Sequence, residues 1–192
     1  MSTIVVARKG NTVTIASDSL VTFGETRLPD GYEANTKMFS AGDSVIGTVG
    51  SIAHLPVLQH ALNAVPASDI DLHSRDGIFN TFVRLHPQLR ERFFLNTKEQ
   101  DSDPYESSQF SILIANRSGI FGVESYREVF EFERFWAIGS GRRFALGAMH
   151  AVFGRVKTAT DLAEAGVLAG CEFDTCSAAP VRLQTIKLSK KV

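Results

Sequence analysis

The sequence predicts an α+β protein in which two antiparallel β-sheets lie face to face and pairs of helices cover their outer faces. Two observations predict this fold. Strand patterns rich in β-branched and aromatic residues fill two separate stretches of the chain, and each stretch is followed by two segments whose apolar residues have helical spacing. A last strand pattern then follows. Because every sheet and every amphipathic helix must bury an apolar face, this order favours stacked layers.

The first stretch begins with a β-hairpin pattern. β-Branched residues dominate Thr3–Arg8, a Gly10-Asn11 turn follows, and Thr12–Asp18 forms the second run. Two further short strands are predicted at Lys37–Ser40 and Ser44–Val49, which are separated by a turn.

Helical spacing replaces the strand pattern at Ser51–Leu62 and at Asp76–Phe94. The next segment, Thr97–Ser108, is acidic and has no apolar period, so we expect a polar loop there. This loop separates the two halves of the predicted fold without dividing it into two domains.

The second half repeats the order of the first. Strands are predicted at Phe110–Ala115, Ile120–Val123, Val129–Phe132 and Phe135–Ile138. Helices are predicted at Arg142–Phe153 and at Thr158–Ala169, the second with a polar start that suits a helix N-terminus, and a final strand at Pro180–Leu188.

Composition restricts the class of protein. With 192 residues and 44% hydrophobic content, we expect one domain spanning residues 2–192. No apolar run reaches the length of a membrane span, and the net charge of −1 gives no basic field for nucleic acid or anionic membranes. The two cysteines, Cys171 and Cys176, are too few for a disulfide framework, and no export signal is visible, so we expect a cytoplasmic protein with reduced thiols.

Ser2 follows the initiator methionine. Removal of Met1 would leave a hydroxyl and a free α-amine on one residue, and the amine, with a pKa of about 7.7–8.0, could accept the hydroxyl proton. The dipeptide alone predicts nothing, because small second residues are common. Its significance depends on the motifs that accompany it.

Those motifs are Ser2-Thr3-Ile4-Val5, Asp18 at 16 positions after Ser2, Lys37, Gly50, Gly139-Ser140-Gly141 and Asp174-Thr175-Cys176-Ser177. In order and spacing they resemble the proteasome β-subunit and HslV family. The serine start and the acidic loop look closest to the betaproteobacterial proteasome homologues within it. The resemblance implies the N-terminal-nucleophile hydrolase fold, a four-layer αββα sandwich. Lys37 lies about three residues later than the family pattern, which predicts a longer loop around Leu28–Glu33.

The resemblance also implies a role for each matching residue. Ser2 would be the nucleophile, Lys37 and Asp18 would tune it electrostatically, and the Gly50 N–H would bind the oxyanion. The Ser140 hydroxyl would hydrogen-bond the N-terminal amine, and Asp174 and Ser177 would fix the surroundings of the nucleophile.

Two further sets of residues follow from the same placement. The pocket for the residue before the cut would be formed by Val21, Asn35, Phe39, Thr48 and Ile52. No cofactor is required, but a structural cation, monovalent or Mg²⁺, could bind the backbone carbonyls of Cys171, Asp174 and Ser177. The mostly apolar or small pocket residues predict cleavage after apolar residues.

The function that the resemblance implies is a self-compartmentalising endopeptidase. Its partners would be further copies of itself in stacked double rings, peptide or unfolded-protein substrates and an AAA+ unfoldase of unknown identity. Two alternatives stay open at this point: an amidase acting on small molecules with the same nucleophile, and a catalytically silent ring that serves as a scaffold.

Overall fold

The computed structural model describes residues 2–28, 30–32, 36–98 and 100–189. The strands in these ranges are β1 (Thr3–Lys9), β2 (Thr12–Ser17), β3 (Val21–Phe23), β4 (Thr26–Leu28), β5 (Met38–Ala41), β6 (Ser44–Val49), β7 (Ser111–Asn116), β8 (Gly119–Val123), β9 (Val129–Phe132), β10 (Phe135–Gly139) and β11 (Arg182–Lys187). The helices are α1 (His54–Asn63), α2 (Arg75–Arg92), α3 (Arg142–Val152) and α4 (Ala159–Phe173). None of these helices is long and apolar enough to cross a membrane.

Two antiparallel sheets form the centre of the molecule. One has the strand order β10-β1-β2-β11 and the other β5-β6-β7-β8-β9. Helices α3 and α4 pack on the first sheet, and α1 and α2 pack on the second. The arrangement is the predicted four-layer αββα sandwich, so the α+β fold class is confirmed.

The core between the sheets places β1 in the middle of the molecule. Ile4 and Ile15 from the first sheet meet residues of the second such as Leu113, and all three are fully buried. Gly47 in β6 allows the sheets to approach closely, because a Cβ there would lie 2.9 Å from Ile4 Cγ2. The N-terminal strand is therefore held on both faces and both edges.

Three elements differ from the sequence prediction. The hairpin of β3 and β4 was not predicted, since its strands have three residues each and are mostly exposed. Helix α1 begins at His54 rather than Ser51, because residues 51–53 form a turn. Helix α4 continues to Phe173 rather than ending at Ala169.

The extension of α4 passes through Gly170, a residue that favours helix ends on local grounds. A Cβ at this position would lie 2.3 Å from Thr3 Oγ1. Gly170 therefore allows the last turns of α4 to pack directly on the start of β1, and this contact brings the residues after the helix close to Ser2. The predicted helix start is confirmed, since Thr158 accepts a hydrogen bond from the Asp161 N–H at 3.0 Å.

Candidate active site

Ser2 lies immediately before β1 and is 6% exposed. Its neighbour Thr3 pairs with Gly139 of β10, and the Thr3 carbonyl accepts a hydrogen bond from Asp18 N–H at 3.1 Å. Ser2 opens onto a cleft of about 340 Å³, a volume typical of small ligand pockets. This active-site cleft is lined by Ser2, Leu20, Val21, Thr22, Thr36, Lys37, Thr48, Gly50, Ser51, Ile52, Leu55 and Cys176.

A buried ion pair lies beside Ser2. The Lys37 ammonium donates to both carboxylate oxygens of Asp18, each at 2.8 Å. Asp18 is fully buried, and the Lys37 side chain is only 12% exposed. The register of β2 places Asp18 directly after the strand, where it faces the chain segment that carries Ser2.

Backbone donors complete the environment of Asp18. Its carboxylate accepts hydrogen bonds from the N–H groups of Thr3 at 2.9 Å, Leu20 at 3.0 Å and Ala178 at 3.2 Å. Hydrogen bonds of this kind stabilise the ionised carboxylate. Asp18 therefore fixes the Lys37 ammonium, which lines the active-site cleft together with Ser2.

A second polar cluster lies near Ser2. Asp174 Oδ2 accepts hydrogen bonds from the hydroxyls of Ser140 and Ser177, both at 2.7 Å. Because the single hydroxyl hydrogen of Ser177 is used in this way, the 2.7 Å contact between Thr3 and Ser177 has Thr3 as donor. The cluster thus ties the segment after α4 to the first residue of β1.

Ser140 also contacts Ser2 directly. Its hydroxyl lies 3.5 Å from the Ser2 carbonyl oxygen, a weaker contact than its hydrogen bond with Asp174. The Gly141 N–H donates to the same carbonyl oxygen at 3.4 Å. The structure therefore brings Ser140 to Ser2, while its predicted hydrogen bond with the α-amine stays a prediction.

Two glycines give the backbone the close approach that this site requires. Gly50 follows β6 with a φ of 119° and lines the active-site cleft, as expected for an oxyanion donor. Gly139 has a φ of 94°, and a Cβ there would lie 2.0 Å from the Ser2 carbonyl oxygen. At both positions only glycine fits the conformation and the space.

We predict that Gly141→Ala destabilises the protein. A Cβ at residue 141 would lie 1.9 Å from Thr3 Oγ1, so the strand next to Ser2 must shift, at a cost of about 1–3 kcal/mol. Gly147→Ala in the same helix is the control, because its Cβ would meet no atom within 4 Å and alanine favours the helix by about 0.8–1.0 kcal/mol. Thermal unfolding should show Tm falling for the first variant and rising for the second; equal shifts would contradict the packing argument.

The structure brings three of the predicted substrate-pocket residues to the cleft: Val21, Thr48 and Ile52 line it. Phe39 is not part of this lining, because it pairs with Ile46 and packs in the core between the second sheet and its helices. The substrate role of these residues stays a prediction. Asn35 lies outside the described residues. The sequence analysis assigned no site role to the other cleft residues, namely Leu20, Thr22, Thr36, Ser51, Leu55 and Cys176.

The two cysteines differ in their surroundings. Burial, reinforced by the negative charge of Asp18, raises the pKa of the Cys171 thiol to about 11, so this thiol is protonated at neutral pH. Cys176 lines the active-site cleft, and both thiols are free. Within the described ranges, no cluster of three or more histidine, cysteine or acidic residues could bind a metal ion.

Comparison with solved structures identifies the family, although no protein-family model matches the chain. BPH from Thiobacillus denitrificans in complex with epoxomicin is 36% identical, with a TM-score of 0.87 over 97% of this chain and 99% of that one. A second structure of the same protein is 35% identical, with a TM-score of 0.89 over 98% of this chain and 100% of that one. HslV from Trypanosoma brucei is 21% identical, with a TM-score of 0.66 over 96% of this chain and 99% of that one. At this identity the likeness shows only that the two proteins share a fold.

The fold and the site define the class, that of the N-terminal-nucleophile hydrolases. The chain belongs to the proteasome β-subunit and HslV family of compartmentalised peptidases. Within this family it belongs with the bacterial proteasome homologues of the BPH type. The family prediction made from the separated motifs is confirmed.

Proposed function

We propose that this chain is an endopeptidase whose nucleophile is Ser2 after removal of Met1. The observation that carries the proposal is the meeting of Ser2, Lys37 and Gly50 on one cleft, with Asp18 buried against the lysine. A nucleophile, a fixed cation and a candidate oxyanion donor are the groups that acyl transfer requires.

The proposed reaction begins with attack of Ser2 Oγ on the carbonyl carbon of the scissile peptide bond. The free α-amine of Ser2 accepts the hydroxyl proton and then delivers it to the leaving amine, which departs as the acyl-enzyme forms. The Gly50 N–H stabilises the oxyanion of each tetrahedral intermediate. Water, activated by the same amine, hydrolyses the ester and regenerates Ser2.

Substrates of this reaction are peptides and unfolded proteins cut after apolar residues. Val21, Ile52 and Leu55 give the active-site cleft an apolar part that suits such a side chain. Serine lacks the β-methyl of threonine and its χ1 is less restricted, so we expect slower turnover than a threonine nucleophile would give.

The proposed assembly is a homo-oligomer of stacked double rings, as in the proteasome and HslV family, with an AAA+ unfoldase as a candidate partner. An exposed aromatic pair on the outer helix layer supports a subunit contact. The ring centroids of Phe144 in α3 and Phe173 in α4 lie 5.5 Å apart, and the two residues are 43% and 66% exposed. Arg142 and Arg143 are exposed beside it. Their charges suit a partner carboxylate better than their own helix N-terminus.

The proposed structural cation would bind near Asp174. The Asp174 carbonyl accepts a hydrogen bond from the Ser177 N–H at 3.1 Å, and a carbonyl oxygen retains a second lone pair. Together with the backbone carbonyls of Cys171 and Ser177, the Asp174 carbonyl would bind a cation that prefers oxygen ligands, and this cation would stabilise the segment after α4.

The proposal is tested with a peptide epoxyketone and intact-mass spectrometry, because this warhead reacts with a hydroxyl and a free α-amine on one residue. We expect a mass without Met1 and one adduct per chain that maps to Ser2, formed faster with leucine than with aspartate next to the warhead. Ser51→Ala, an exposed residue of the same cleft, should label like the wild type. Epoxomicin is of this chemical class, and it is bound by the Thiobacillus denitrificans protein.

A retained Met1 would overturn the mechanism, since Ser2 would then have no free amine, and would favour the silent scaffold. An adduct on Ser2 combined with hydrolysis of small amides but of no peptide would favour the amidase instead. Turnover of fluorogenic peptides and of simple amides by the same preparation separates these outcomes.

A further inference from the structure

The imidazole of His54 packs directly against Gly50. His54 is the first residue of α1, four positions after Gly50. A Cβ at Gly50 would lie 2.8 Å from His54 Cδ2 and 3.2 Å from Nε2. The histidine ring therefore occupies the space that a side chain at residue 50 would need.

The ring itself is fixed by the segment that leads into β7. It meets the Phe110 ring edge-on, with centroids 5.8 Å apart and an interplanar angle of 60°. It also makes a hydrogen bond with the backbone of Gln109, and burial lowers the pKa of the imidazole. His54 is thus a neutral, half-buried ring held by residues more than fifty positions away in sequence.

The turn between Gly50 and α1 has little other support. Ser51, Ile52 and Ala53 are exposed, and no side chain caps the N-terminus of α1. Within the turn, the Ala53 N–H donates to Ser51 Oγ at 3.3 Å and the His54 N–H donates to the Ser51 carbonyl at 3.0 Å. These bonds shape the turn locally, but they do not connect it to the rest of the molecule.

We propose that His54 is a positioning residue for the reaction, because its ring connects the Gly50 turn to the Phe110 segment and so fixes the direction of the Gly50 N–H. The inference rests on the proposed function, in which that N–H binds the oxyanion. A backbone donor contributes to catalysis only when it is already aimed at the developing charge. Loss of the ring leaves the donor present but less accurately placed.

The test compares His54→Ala, His54→Phe and His54→Gln in the full-length protein with a fluorogenic peptide. We expect His54→Ala to lower kcat about 10- to 100-fold with KM changed less than about threefold, since the loss concerns the transition state. His54→Phe retains a ring but cannot bond to Gln109, and we expect it to lower kcat as well. His54→Gln keeps a donor for the Gln109 backbone but loses the ring, and we expect it to lower kcat less than His54→Ala does.

His60→Ala is the matched control, because His60 is an exposed histidine on the same helix. The inference is overturned if His54→Ala keeps kcat within twofold of the wild type, if His60→Ala loses as much, or if only KM changes. Should His54→Ala fail to fold, full activity of His54→Phe would overturn it equally. If the wild type neither hydrolyses the peptide nor reacts with the epoxyketone, both proposals are overturned. If the wild type reacts with the epoxyketone and His54→Ala has an unchanged kcat, only the proposal for His54 is overturned.

Discussion

Ser2→Ala is expected to lower peptide hydrolysis by at least about 10⁴-fold, because it removes the proposed nucleophile and leaves only substrate binding and oxyanion stabilisation. The substitution deletes one oxygen from a residue that is 6% exposed, and alanine fits the same space. The ion pair of Lys37 with Asp18 and the cluster around Asp174 do not depend on that oxygen. The Tm should therefore stay close to that of the wild type.

Initial rates with a fluorogenic peptide, and circular dichroism at one fixed subunit concentration, check this prediction. Ser2→Thr is the informative companion, because it keeps the hydroxyl and restricts χ1, so its turnover should equal or exceed that of the wild type. Hydrolysis by Ser2→Ala within tenfold of the wild type would show that another group attacks the substrate, and Cys176, which lines the active-site cleft, would be the first to replace.

The sequence predicted the layers of the fold because those layers depend on local patterns. Hydrophobic alternation and helical periodicity are visible in single segments, and the order of segments leaves few ways to bury them. The hairpin of β3 and β4 has neither signal, because its strands have three residues each and most of these residues are exposed. Val21 and Thr22 of this hairpin line the active-site cleft.

Site residues could be predicted where they belong to a sequence motif with a fixed spacing. Residues that reach the site only through tertiary contacts were not predicted. Asp18 and Lys37 meet in the structure as the family pattern implied. Phe39 does not line the cleft, because the β5–β6 register sets it opposite Ile46, two residues before Thr48, and it packs in the core there. The contact of His54 with Gly50 depends on Phe110 and Gln109. Because these two residues are far from His54 in the sequence, no local pattern predicts the contact.

Asp18→Asn is expected to abolish activity and to destabilise the protein. The change leaves the Lys37 ammonium, which is 12% exposed, without its carboxylate. Breaking a buried ion pair in this way costs about 3–5 kcal/mol. In a chain of this size that corresponds to a fall in Tm of roughly 10 °C. Activity and Tm therefore decrease together, and this variant alone cannot separate a catalytic role from a structural one.

The double variant Asp18→Asn/Lys37→Met separates them. Removing both charges takes away the uncompensated ammonium, so most of the lost Tm should return, as it does when buried pairs are replaced by neutral groups of similar size. Activity should not return, because no cation remains in the active-site cleft beside Ser2. A double variant that regains both Tm and turnover would show that the pair only stabilises the fold. Recovery of Tm with turnover still at least about 100-fold below the wild type would establish that Lys37 acts on the nucleophile and that Asp18 acts through Lys37.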